Sequence, residues 1–313
     1  MGNSFRNQRV VVTGGCGFIG SHLVKRLIRE GARVIVISRN SARCIRIIGT
    51  PVVLEQASLT NRERIAALVK KHKPHFVFHL AAYESHERDF ALFAPCFDVH
   101  VEGTRNLVEP LLRSADFIRF IHVGTIEEYG RGKAPFQESD REYPVSPYSA
   151  TKLMATKFVE YCAREEEFPA VIIRPALIYG PGQVRGMFIP DLIRACMQKR
   201  DFRMTAGTQT RDFLYVDDLI DSFFSAALRL GLEGEIINVG SGKEMQLRHV
   251  AVFVNRLMGS PIKIRFGALP FRRGEMRHFW LDVKKAKKLL QWTPRVNLKA
   301  GISTTVDWYR ENP

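Results

Sequence analysis

The sequence predicts an α/β fold in which a doubly wound parallel sheet carries a smaller C-terminal lobe. Three observations lead there. Short apolar, β-branched runs alternate with segments of helical periodicity, a glycine-rich turn follows the first run, and glycine and proline become frequent beyond about residue 174. Strands separated by helices pair in parallel and are covered on both faces. The 313 residues exceed the roughly 100 to 200 of one ordinary domain. We therefore divide the chain into residues 1–175, a sheet domain, and residues 176–313, a second lobe from which some segments return to the first.

The elements follow in order. Residues 9–12 form the first buried strand, 21–30 a helix and 32–37 the second strand. Residues 51–54, 75–80 and 117–123 read as further buried strands, with polar helical segments at 61–72 and 101–113 between them. Pro175, Gly180, Pro181, Gly182, Gly186 and Pro190 mark the change of lobe. The basic run 284–288 reads as the solvated face of a helix ending in Leu289-Leu290.

Composition excludes several classes. There is no run of about 18 apolar residues to span a membrane, and the start Met1 to Arg6 lacks an apolar signal core. The five cysteines are odd in number, scattered and without a C-x-x-C pair, so neither a disulfide framework nor a metal site is expected, and a reducing cytoplasm fits best. A net charge of +15 invites a polynucleotide reading. The basic residues do not cluster with aromatics, however, and small anionic ligands carrying diphosphates account for the charge more economically.

The first chemical motif is Thr13-Gly14-Gly15-Cys16-Gly17-Phe18-Ile19-Gly20, between a strand and a helix. Glycines there permit a tight turn, let backbone N–H groups reach a pyrophosphate and allow the helix to pack on its strand, which is the dinucleotide-binding pattern of a Rossmann sheet. The end of the second strand then selects the cofactor. It reads Ser38-Arg39-Asn40, with Arg43 close behind, and no aspartate precedes Asp89. A carboxylate there would suit the ribose of NAD, whereas a guanidinium suits the 2′-phosphate of NADP.

The second motif is Tyr148-Ser149-Ala150-Thr151-Lys152. Residues four apart share a helix face, so phenol and ammonium can enter one site, where the cation favours the ionised phenol and makes it a usable acid and base.

With both motifs in place, the chain resembles the extended short-chain dehydrogenase/reductase family, of the nucleotide-sugar epimerase, dehydratase and reductase type. The resemblance runs through His79-Leu80-Ala81-Ala82, Gly124 to Gly130, Arg174 to Pro181, Arg211 to Asp218, Asn238 to Gly242 and a final segment from Asp282 to Pro294. It implies that Thr125 holds the reacting oxygen, Tyr148 is the acid/base, and Lys152 lowers the Tyr148 pKa and holds the nicotinamide ribose. Gly14, Gly17, Phe18, Ile19, Gly20, Leu80, Ala81 and Ala82 would join Ser38, Arg39, Asn40 and Arg43 in binding the cofactor. Glu127 and Phe188 would face the sugar nucleotide, and Arg211 with Arg272, or its neighbour Arg273, would grip its diphosphate. A surface or interlobe salt bridge is the competing role for those arginines. Tyr129 and Trp292 are expected in the core, His79 packed or hydrogen-bonded, and a homodimer is the assembly the resemblance implies.

The departures narrow the chemistry. Ser58 stands where the family often has Asp, His100 where Asn is common, and Leu177 replaces an Asn that in many relatives contacts the diphosphate. Family 4,6-dehydratases carry Thr-Asp-Glu before the Tyr-Gly pair, and this chain has Thr125-Ile126-Glu127. Isoleucine cannot protonate a departing hydroxyl. Three readings follow: NADPH-dependent reduction of a nucleotide-linked keto sugar, a 4-keto-6-deoxyhexose by preference; 4-epimerisation with a retained NAD, ranking ahead of dehydration; and a non-catalytic, cofactor-binding regulator. Arg39 favours the first.

Overall fold

The structure is a computed structural model that describes residues 5–83, 87–271 and 275–312. Six strands arise in the first 175 residues: β1 (Arg9–Thr13), β2 (Arg33–Ser38), β3 (Val53–Gln56), β4 (Phe76–His79), β5 (Arg119–Val123) and β6 (Ala170–Pro175). The chain then leaves the sheet for β7 (Leu177–Tyr179), β8 (Phe202–Arg203), β9 (Thr210–Arg211) and β10 (Phe213–Tyr215), and returns as β11 (Ile236–Val239). The main sheet is parallel, in the order β11-β6-β5-β4-β1-β2-β3.

Alternation along the central strands separates two apolar layers. Val10 and Val12 meet Val34, Val36, Phe76 and Phe78 on one side, under α1 (Phe18–Arg29) and a C-terminal helix at Val216–Leu228. Val11, Ile35, Ile37 and Val77 face the other, under α2 (Arg62–His72), Leu107 to Leu111 and Val159. A strand buried on both faces needs a continuous apolar run, and β1, β2 and β4 supply it. The second helical layer holds α3 (Phe93–Phe97), a π turn (Asp98–Glu102), α4 (Gly103–Leu111) and α5 (Pro147–Glu165). A separate apolar cluster in the C-terminal half gathers α6 (Phe188–Met197), Val250 to Val254 and Ile302 to Tyr309.

Four expectations are corrected. The helix after the glycine turn begins at Phe18, three residues early, because Gly17 serves as its N-cap. The strand expected buried at 51–54 lies at Val53–Gln56 and is the sheet's edge, so Val53 and Leu54 are exposed. β6 and β11 were not read from the sequence, although β11 draws the C-terminal half into the first sheet. Finally, Cys16 and Cys44 form a disulfide with a Cα separation of 4.5 Å. Spacing alone did not reveal it, because the partners meet only once the loop after β2 folds back on the glycine turn. The cysteine pattern therefore no longer argues for a reducing compartment. Cys96, Cys162 and Cys196 are buried free thiols.

Candidate active site

The glycine turn lies where β1 ends and α1 begins. Gly14 has φ +71°, and a Cβ there would stand 2.8 Å from Ala81 N; one on Gly20 would stand 2.7 Å from Gly15 Cα. These two positions let the turn touch the 80–82 loop and let α1 pack directly on the turn. First-turn N–H groups such as those of Phe18 and Ile19 have no acceptor within the helix, and no acidic residue occupies that turn. The positive helix end thus suits a pyrophosphate.

Beyond β2, Ser38 Oγ donates to Asn40 O at 3.1 Å, and Asn40 Oδ1 accepts from Ala42 N at 3.0 Å, capping a short turn at Ser41–Arg43. Arg39 is exposed and makes no hydrogen bond or ion pair among the described residues. The Arg43 side chain lies outside the described residues. Glu55, the next carboxylate after Glu30, accepts from Lys71 at 2.6 Å, His72 at 2.8 Å and Arg64 at 3.2 Å, which holds its carboxyl below the usual range. It is thus occupied by Lys71, Arg64 and His72. A cradle that a Cβ would fill, an open helix N-terminus and a guanidinium unpaired among the described residues fit a pyridine dinucleotide.

Helix α5 presents Tyr148 and Lys152 one turn apart. Ser146 caps it, exchanging hydrogen bonds with Ser149, and Pro147 takes the first helical position. Tyr148 is half-buried and Lys152 is buried. Lys152 Nζ donates to Val123 O at 2.5 Å. Burial lowers the Lys152 pKa to about 8, with the Glu128 charge opposing. Val123 ends β5 and Thr125 follows two residues later, so this bond helps to hold α5 beside Thr125. Thr125 caps the 3-10 turn Ile126–Tyr129: its Oγ accepts from Glu127 N at 3.2 Å and its N donates to Glu128 Oε1 at 2.8 Å.

Below Thr125 lies a charged network missed at the sequence level. Glu128 and Arg174 are fully buried, and Arg174 Nε donates to Glu128 Oε2 at 2.7 Å while its Nη2 donates to Glu142 at 2.7 Å. Thr156 also donates to Glu128, at 3.2 Å. The Arg174 guanidinium lies 4.7 Å over the Tyr129 ring, and Tyr129 donates to Asn238 at 2.7 Å. Tyr129 is core, as expected. Ile126 packs beside it with Phe136, Ala176, Phe279 and Leu281. The position of the dehydratase acid is thus filled by a buried apolar side chain. Glu127 is half-buried on the same turn.

His79 bridges Thr13 Oγ1 at 2.7 Å and Thr104 Oγ1 at 2.9 Å, a hydrogen-bonded role rather than a catalytic one. In the C-terminal half, Arg211 donates to Glu275 at 3.0 Å, Thr210 O at 2.7 Å and Met276 O at 3.0 Å. Phe188 opens α6 and meets Phe202 edge-on at 6.2 Å. Arg272 and Arg273 lie outside the described residues. Two buried aspartates join the remaining motifs: Asp212 accepts from Ser241 N at 2.8 Å and Gly242 N at 3.2 Å, and Asp218 accepts from Arg295 N at 2.9 Å and Val296 N at 3.0 Å. Trp292, also core, donates to Asp218 O at 3.0 Å. Among the described residues, no group of three His, Cys, Asp or Glu side chains is arranged to hold a metal ion, and no helix is long and apolar enough to cross a membrane.

Comparison with known proteins agrees with this geometry. A UDP-N-acetyl-alpha-D-glucosaminuronate decarboxylase of Bacillus cytotoxicus is 30% identical, over 97% of this chain and 98% of its own. The structure of a UDP-glucose 4-epimerase of Thermotoga maritima, solved with UDP-glucose, superposes with a TM-score of 0.91 at 28% identity, covering 97% of this chain and 99% of that one. A UDP-glucuronic acid 4-epimerase of Bacillus cereus, in complex with UDP-glucuronic acid and NAD, superposes with a TM-score of 0.88 at 26% identity, covering 97% and 100%. The model of the NAD dependent epimerase/dehydratase family matches residues 10–240. With its parallel sheet, glycine turn and Tyr148/Lys152 helix, the chain belongs to that family of nucleotide-sugar enzymes, of the extended short-chain dehydrogenase/reductase type.

Proposed function

We propose that this enzyme reduces a nucleotide-activated keto sugar, a 4-keto-6-deoxyhexose by preference, using NADPH. A bound nicotinamide cofactor supplies the hydride. Thr125 holds the reacting oxygen, Tyr148 gives it a proton, and Lys152, tied to Val123, orients Tyr148 and the cofactor ribose. Glu127 and Phe188 face the sugar nucleotide. Arg211 and Arg272 receive the diphosphate; for Arg211 this means exchanging Glu275 for phosphate oxygens.

One observation carries the choice of net reduction: exposed Arg39, without a partner among the described residues, stands beyond β2 where an NAD site places a carboxylate. NADP suits net reduction, whereas a retained NAD suits internal recycling. The second reading is 4-epimerisation on the same residues, and it is favoured by the NAD held in the Bacillus cereus relative. Buried Ile126 speaks against dehydration. For assembly we propose a homodimer through the face that exposes Phe90, Met154 and Tyr161, the last two seven residues apart on α5.

The test is to purify the protein, identify any bound nucleotide, and assay NADPH oxidation against a panel of nucleotide-linked 4-keto-6-deoxyhexoses. Net NADPH consumption supports reduction. Co-purified NAD, with interconversion of C4 epimers and no net cofactor use, replaces it with the epimerase.

A further inference from the structure

Behind the catalytic helix, a π turn carries a histidine at a position where the family commonly has asparagine. His100 is 1% exposed, and each ring nitrogen has one partner. Nε2 accepts from Tyr83 N at 2.9 Å, and Nδ1 lies 2.8 Å from Thr151 Oγ1. The donors fix the tautomer. A backbone N–H can only donate, so Nε2 is the acceptor and Nδ1 carries the proton. Thr151 Oγ1 accepts that proton and donates its own to Pro147 O at 2.7 Å. The imidazole also meets the Tyr148 ring edge-on, with centroids 5.4 Å apart.

The same logic continues away from the site. Thr104 Oγ1 donates to His100 O, so His79 Nε2–H donates to Thr104 and His79 Nδ1 accepts from Thr13 Oγ1. Ala81 N in turn donates to Thr13 Oγ1 at 3.3 Å. Hydrogen bonds therefore reach the 80–83 loop at Leu80, Ala81 and Tyr83, and among the described residues His100 carries the last of these across to α5. π turns recur at functional sites because they aim a side chain that a regular helix would direct elsewhere.

We propose that His100 is a positioning residue: by joining the backbone of Tyr83 to Thr151, it sets the first turn of α5, with Tyr148 and Lys152, against the loop on which the cofactor lies. The proposal rests on Tyr148 being the acid/base. A rigid connection between these elements serves catalysis because small displacements of a proton donor cost large factors in rate.

The histidine can be taken apart chemically. His100→Asn keeps a donor near Nδ1 for Thr151, His100→Gln keeps an acceptor near Nε2 for Tyr83, and His100→Leu removes both. On the keto sugar that the enzyme turns over, His100→Leu and Thr151→Val should each lower kcat about tenfold, roughly 1.4 kcal/mol of barrier. The NADPH dissociation constant should stay within about twofold, and the double variant should fall little further, because both changes break one connection. Asn and Gln should each restore part of kcat. Amide exchange, which needs no substrate, should quicken together at 80–83 and 147–152 in His100→Leu. Full kcat in His100→Leu, additive losses in the double variant, or unchanged exchange at both segments would overturn the proposal. Tyr148→Phe is run in parallel: if it stays active, the acid/base reading fails, and the exchange data still decide whether His100 joins the two elements.

Discussion

The proposed roles of Tyr148 as proton donor and Lys152 as its partner need both on one helix face, which residues four apart share, and the Lys152 bond to Val123 O fixes that face against the end of β5. Tyr148→Phe removes the proton donor and leaves the glycine turn intact. Turnover should fall by at least about a hundredfold, in line with loss of general acid catalysis, while NADPH affinity measured by fluorescence changes little. Most of the activity surviving would remove Tyr148 from the mechanism. On the proposed reading, Arg39 selects the cofactor. A charge-assisted hydrogen bond to the 2′-phosphate contributes roughly 1.5 to 3 kcal/mol, so NADPH should bind at least about tenfold more tightly than NADH, and Arg39→Asp should narrow or reverse that preference. Titration of both nucleotides against both proteins checks it, and equal affinities in the unmodified enzyme would refute it. These residues were legible because their spacing is local. Glu128 and Arg174, 46 residues apart, and His100 and Thr151, 51 apart, were not, since folding alone brings them into contact.

At the scale of elements, the strands that sequence displays best are those buried on both faces. β1, β2 and β4 are unbroken apolar runs, whereas edge strand β3 is mostly exposed, with only Glu55 of its four residues buried, and β6 and β11 are masked by the glycine and proline around them. Thr125 was legible from the motif before Tyr129-Gly130, but the capping turn that holds it was not. The glycine turn and the loop after β2 are each readable, yet the Cys16–Cys44 bond that fastens one to the other is not. That bond closes a segment with a sequence separation of 28, which on the chain-entropy account contributes about 3 to 4 kcal/mol. Denatured without reductant, the chain should expose three titratable thiols, from Cys96, Cys162 and Cys196, and all five after reduction. Cys44→Ala should lower the urea midpoint. Five reactive thiols before reduction would show that the two elements are held by packing alone.

Across the whole molecule, the three buried imidazoles, His79, His100 and His122, should govern acid stability. Burial, and then the Lys152 charge, lowers the pKa of His79 to about 3 and of His100 to about 2, and holds His122 well below its ordinary value. All three are neutral when folded, while in the unfolded chain each takes up a proton near pH 6.5. Below that pH the unfolded state binds more protons, so stability falls as pH falls, and it continues to fall toward the folded pKa values. From about pH 7.5 to about pH 5.5 each histidine should cost about 1.4 kcal/mol, about 4 in all, a large share of a typical 5 to 15 kcal/mol. Asp212, Asp218 and Glu138, whose carboxyls are raised by burial, contribute with the opposite sign, and mainly at lower pH. His122 isolates one imidazole, since neither ring nitrogen has a hydrogen-bond partner among the described residues and it stacks near Phe120 at 6.5 Å. His122→Leu removes a buried polar group that no described residue satisfies, so stability at neutral pH should hold or rise. The loss on acidification should shrink by about 1.4 kcal/mol. Urea unfolding of both proteins at the two pH values gives the comparison. An equal acid-induced loss in both would mean that His122 is protonated, or solvated, in the folded enzyme.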